Sequence, residues 1–144
     1  MIDDLYQEII IDHSKKPRNF HEVEDANHHA EGYNPLCGDR CRLFVKEKDG
    51  VIEKIGFQGA GCAISTSSAS LMTEALKGKT LAEAEDMLGR FLSLLTKDGV
   101  TPEGLGKLKA FSGVREFPMR VKCATLAWHT LRAALRGDGE VSTE

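Results

Sequence analysis

Apolar residues recur every second position from residue 41 to 59 and every third or fourth position further on, and the period changes at Gly59-Ala60-Gly61. The first stretch reads as two strands, 41–48 and 51–59, joined by Asp49-Gly50, a strong signal for a two-residue hairpin turn. A further strand over 28–34 is placed to pair with this hairpin. Ahead of it, residues 2–13 set Ile2, Leu5 or Tyr6, Ile9 and His13 at helical spacing, and Pro17 ends that helix. After the glycine bend, Ile64, Leu71, Met72, Ala75 and Leu76 form one helical face closed by Gly78. Thr80 and Glu83 have the spacing of a capping box and open a helix whose apolar face is Leu81, Ala84, Leu88, Phe91, Leu92 and Leu95. Thr101-Pro102-Glu103 predicts the start of a short helix carrying Leu105, Leu108 and Phe111 and ending at Gly113. A last long helix begins near Pro118 and presents Val121, Ala124, Trp128, Leu131 and Leu135 on one side.

Strands grouped early and helices grouped late predict an α+β fold, a small antiparallel sheet of about three strands with helices packed on one face. The 144 residues suffice for one core. A single domain is expected over 1–136, with 137–144 as a flexible C-terminal tail.

Composition narrows the setting. The chain is 41% hydrophobic and 28% charged, and no apolar run approaches the roughly 18 residues of a membrane span. MIDDLYQEIIIDH is acidic and amphipathic, unlike a secretory signal, so a cytoplasmic location without membrane attachment is expected. A net charge of −3 argues against nucleic-acid binding through phosphates. The charge is uneven: residues 1–31 carry eight acids and three bases, whereas 105–136 carry seven Lys and Arg against the single acid Glu116. These stretches are either solvated helix faces or, around Cys123, a basic collar including Arg120 and Lys122 that would favour thiolate.

Four cysteines in a reducing compartment point to metal ligands or reactive thiols before disulfides. Cys37 lies in the turn NPLCGD, Cys62 follows Gly59-Ala60-Gly61 at the mouth of a helix, and Cys123 is expected in the first turn of the last helix. Helix N-termini stabilise thiolates, so Cys62 and Cys123, joined by Cys37 with Asp39 two residues beyond it, make a candidate thiolate cluster for a soft metal. Read singly, each cysteine is also a small buried hydrophobe. The spacings match no zinc-finger or CxxC pattern. Cys41 reads as a strand residue that could alternatively resolve a persulfide on Cys37. The five histidines lack ligand spacing with these thiols. AISTSSAS has no accompanying His and acid motif, and its small residues suit helix packing.

Three motifs in order, NPLCGD, GAGCAISTSSAS and RVKCATLAWHTL, together with LYQEIIIDHSKKPRN, resemble the NifU/IscU/SufU family of iron-sulfur assembly proteins over nearly the whole chain. The resemblance implies three cysteines clustered at one exposed end of the domain. Two features resemble the SufU-like branch: the LAEAEDMLGRFLSLL helix within the long interval from Cys62 to Cys123, and Lys122 where IscU-like members carry a histidine. FPMRVK lacks the double proline of the chaperone-recognition motif of that other branch.

By the same resemblance Asp39 is the fourth ligand beside Cys37, Cys62 and Cys123, a set that zinc or a transient iron-sulfur cluster, [2Fe-2S] or [4Fe-4S], can use. The alternative role of Asp39 is that of a turn or strand-start residue bonding nearby backbone N–H groups. Cys37 is the expected acceptor of sulfur from a PLP-dependent cysteine desulfurase, with Arg120 as an auxiliary residue steering a ligand or an acidic partner. Apo iron-sulfur proteins or downstream carriers are the implied recipients, and the chain is an enzyme only in the sense of a sulfurtransferase. The alternatives are a structural zinc domain and a zinc hydrolase or deaminase; for the latter the HxE and PCxxC elements are missing.

Overall fold

Asp49 and Gly50 both adopt positive φ, 54° and 79°, the backbone that a two-residue hairpin turn requires and that Asp-Gly supplies at little strain. They join β2 (Asp39–Lys48) to β3 (Val51–Ala60). The ladder runs from Lys48↔Val51 to Arg40↔Ala60 and is irregular only between Lys46 and Glu47. β1 (His28–Asn34) pairs antiparallel with β2 from His28↔Val45 to Asn34↔Asp39. The computed structural model describes residues 4–97, 104–137 and 139–142.

Alternation decides which face is covered. Ala30, Gly32 and Asn34 of β1 and Asp39, Cys41, Leu43 and Val45 of β2 are buried, while Arg40 and Arg42 between them are exposed. Against the buried face lie α2 (Ala63–Leu76) and α4 (Pro118–Arg136). α1 (Asp4–Lys15) packs on α2, and α3 (Leu81–Thr96) on α4. The predicted capping box is present: Thr80 Oγ1 accepts the Glu83 N–H and Glu83 accepts the Thr80 N–H, each at 3.1 Å. At the centre Phe91 stacks on Trp128, with ring centroids 4.5 Å apart, and meets Phe111 edge-on. All three rings are fully buried.

The serines of AISTSSAS seat α2 among its neighbours. Ser65, Ser67, Ser68 and Ser70 are buried. Ser68 Oγ donates to the Ala124 carbonyl and accepts the Trp128 indole N–H, and Ser70 Oγ bonds His13 Nδ1 at 2.7 Å. The hydroxyls of Ser67, Ser68 and Ser70 are all hydrogen-bonded, so these three carry no unpaired donor into the close helix packing.

Two expectations are corrected. The sheet has four strands in the order β3-β2-β1-β4, because Glu140–Ser142 forms β4 and pairs parallel with β1. That segment was expected to be part of a flexible tail, and its single partly buried residue, Val141, offered no period to read. The chain reaches it through Gly137, whose φ of 83° ends α4. The short helix ahead of α4 is a 3₁₀ segment, Gly106–Glu116, which runs through Gly113 rather than ending there. Leu105, Leu108, Phe111 and Val114 recur every third residue and are buried, which suits three residues per turn. Its predicted start at Thr101 lies outside the described residues. Gly78 (φ 85°) closes α2 as expected, in the left-handed conformation one residue past the C-cap Lys77.

Candidate metal centre

The register of β1 on β2 builds the site. Asn34 and Asp39 face each other across the last rung of the ladder, so their side chains leave the same face, and both are buried. Between them the chain turns through Pro35-Leu36-Cys37-Gly38. The Cys37 and Gly38 N–H groups donate to the Asn34 carbonyl at 3.2 and 2.8 Å, and Cys37 is exposed on this turn.

Cys62 comes from the other side as the N-cap of α2, where its Sγ accepts the Ser65 N–H at 3.4 Å. Its own N–H donates to Asp39 Oδ1 at 3.0 Å. This approach depends on Gly61, since a Cβ there would stand 2.7 Å from Asp39 Oδ1. Cys123 is delivered by α4. That helix lies so close to β1 that a Cβ on Gly32 would collide with Thr130 Oγ1, and Cys123, two turns before Thr130, reaches the Asn34 end of the strand.

The sulfur atoms of Cys37 and Cys123 and a carboxylate oxygen of Asp39 all lie within 4.8 Å of one another. Zinc–ligand bonds of roughly 2.0–2.3 Å imply tetrahedral edges of about 3.5–3.8 Å, so this donor set fits zinc after a small contraction. Cys62 stands outside that group of three but close enough to act on Cys123. Burial first, then hydrogen bonds with Asp39 and Cys37, then the Cys62 sulfur, push the Cys123 thiol far above its ordinary range. Thiols and a carboxylate crowded together in this way disfavour further negative charge and favour a cation among them.

Two expectations for Cys123 change. Pro118 is the first residue of α4, so Cys123 falls in its second turn, is buried, and lies beyond the orphan N–H groups of the helix mouth. The basic collar does not lower its thiol either. Arg120 is exposed with its guanidinium 5.0 Å over the Phe117 ring, and among the described residues neither it nor Lys122 forms an ion pair. The histidines stay apart from the group: His13 is buried against Ser70, and His28 pairs with Glu47 at 3.0 Å.

Asn34 is the site residue that the sequence reading missed. Its Nδ2 donates to Asp39 Oδ2 at 3.3 Å and to Cys123 Sγ at 3.5 Å. Its Oδ1 is buried and has no hydrogen-bond partner among the described residues, an arrangement that costs about 1–3 kcal/mol. The available signal was positional: a residue ending the strand opposite Asp39 must share its face.

A three-stranded antiparallel meander extended by one parallel strand, covered on one face by helices, with thiols and a carboxylate converging at the tip of its first hairpin, defines a small α+β domain with a donor set that could hold a metal ion. The chain belongs to the NifU-like N-terminal domain family, whose match covers residues 5–137. It is 42% identical over 131 residues to the zinc-dependent sulfurtransferase SufU of Bacillus subtilis, covering 90% of this chain and 88% of that protein. It is 38% identical over 136 residues to the iron-sulfur cluster assembly scaffold protein IscU of Streptococcus pyogenes, covering 94% and 85%. Among solved structures it resembles a protein from Fervidobacterium islandicum described as an iron-sulfur cluster assembly scaffold for the SUF system. The TM-score is 0.85 and the identity 37%, over 89% of this chain and 94% of the other.

Proposed function

We propose that this protein works in iron-sulfur cluster assembly as a metal-dependent sulfur acceptor, with Cys37 taking sulfur from a PLP-dependent cysteine desulfurase. The observation that carries this reading is an exposed thiol, Cys37, on a hairpin turn whose sulfur shares a 4.8 Å group with Asp39 and buried Cys123. Its relation to a zinc-dependent sulfurtransferase supports the same assignment.

Cys37, Asp39, Cys62 and Cys123 would hold the metal. When bound, zinc supplies positive charge that keeps cysteine sulfurs ionised near neutral pH. The transfer step belongs to Cys37. Its thiolate attacks the outer sulfur of the donor persulfide, the donor S–S bond breaks, and the desulfurase cysteine leaves as thiolate while a new S–S bond forms on Cys37. No net oxidation is needed. Asp39 stays anchored by the Cys62 N–H and the Asn34 amide, so the pocket keeps its shape while Cys37 exchanges partners. Exposed Leu36, adjacent to Cys37, and exposed Phe117 and Met119, in the segment leading to Cys123, offer apolar surface for a docking partner. Arg120, exposed beside them in sequence, would steer an acidic partner surface. Four unpaired cysteines suit a cytoplasmic setting.

Intact and peptide mass spectrometry after incubation with a desulfurase and L-cysteine should find added sulfur on Cys37, and none in Cys37→Ala. Normal sulfuration of that variant refutes the assignment. A second reading, a scaffold that builds a cluster for apo iron-sulfur proteins or carriers, is favoured by the exposure of Cys62 as well as Cys37, which leaves two thiols reachable by a recipient. Anaerobic reconstitution separates the two: zinc retained without a chromophore supports sulfur relay, whereas a stable chromophore with stoichiometric iron supports the scaffold.

A further inference from the structure

We infer that Asn34 is a positioning residue of this centre, one that holds Asp39 and Cys123 together and tunes the Cys123 sulfur as a metal donor. The inference rests on reading the site as a metal centre and adds a residue outside the ligand set. Asn34 is fully buried, and its amide NH₂ bridges two candidate ligands from different elements, Asp39 of β2 and Cys123 of α4. Among the described residues it is the one side-chain nitrogen that donates a hydrogen bond to either of them, the other contacts coming from thiols and from the Cys62 backbone N–H.

The amide orientation is dictated by charge. Turned over, Asn34 would aim Oδ1 at the Asp39 carboxylate and at sulfur, two acceptors; in the orientation present it aims both donors at them and leaves Oδ1 unpaired. A buried acceptor is thus left unsatisfied so that the NH₂ can serve the site. An N–H···S bond draws electron density from a thiolate and fixes its direction, which is how residues behind the ligands set the strength of metal binding. Because Asn34 also forms the last rung with Asp39, strand register and ligand geometry are coupled through one residue.

The test loads the full chain with cobalt(II) and compares wild type with Asn34→Ala and the near-isosteric Asn34→Leu. In both variants the thiolate-to-cobalt charge-transfer band should move to longer wavelength, since sulfur lone pairs no longer stabilised by a donor lie higher. Cobalt(II) affinity in chelator competition should fall about ten- to a hundredfold. A lower unfolding midpoint with band and affinity unchanged means a structural role alone and overturns the inference. A measurement on the wild type keeps the question open to refutation even if both variants misfold: in the cadmium-113, nitrogen-15 protein, scalar coupling between the metal and the Asn34 side-chain amide protons is expected. Its absence in a metal-loaded sample overturns the inference while the metal reading stands. A wild-type protein that binds neither metal overturns both.

Discussion

At the scale of single residues, four cysteines of identical chemistry are separated into different roles by where the fold leaves them. Cys37 and Cys62 are exposed, whereas Cys41 and Cys123 are buried. Cys41 sits on the inward face of β2 two residues from Asp39, and burial pushes its thiol up to about 12 despite a hydrogen bond from Thr130. It is therefore a core residue, and the alternative in which it resolves a persulfide on Cys37 loses its basis, because attack needs an ionised, accessible thiol. In metal-free protein at pH 8, brief iodoacetamide treatment should alkylate Cys37 and Cys62 and leave Cys41 unmodified, as read by peptide mapping. Rapid labelling of Cys41 in folded protein contradicts this placement.

At the scale of elements, α1 is fastened to α2 by a buried polar contact. His13 is 2% exposed and bonds Ser70 Oγ, which also accepts the Arg18 N–H. Desolvation, reinforced by the nearby Arg18 charge, lowers the His13 pKa below 6.5. A histidine whose folded pKa is depressed binds its proton more readily when unfolded, so its contribution is full above pH 6.5 and is lost as pH falls below it. Urea midpoints should therefore decline from pH 7.5 to 5. His129, also lowered by burial, contributes in the same sense, so His13→Gln should flatten the decline only in part. An unchanged slope would assign the effect elsewhere. Helical spacing puts His13 on the apolar face of α1 but carries no sign of its partner, because Ser70 lies 57 residues away.

At the scale of the whole molecule, aromatic packing of α3, the 3₁₀ segment and α4 supports the site from behind. Phe91 touches Trp128 and Phe111, and Trp128 bonds Ser68 of α2. Phe91→Ala should cost about 3–5 kcal/mol in denaturant unfolding, since the cavity lies where three elements meet. A loss below 1 kcal/mol would mean the core does not depend on this stack. The expected sulfur transfer to Cys37 in a refolded variant should survive, because no donor atom of the site lies on α3.

The amphipathic faces of α2, α3 and α4, the Asp49-Gly50 turn, the Thr80–Glu83 box and the candidate thiols were all legible along the chain, because each depends on residues a few positions apart. Resemblance then supplied Asp39 as a candidate ligand. Tertiary structure alone decided that Glu140–Ser142 becomes a strand, that Cys123 is buried in the second turn of α4, and that Asn34 stands between Asp39 and Cys123. The reason is physical: the rung that sets Asn34 opposite Asp39 and the close seating of α4 over Gly32 are settled by side chains up to a hundred residues apart, and no local period encodes them.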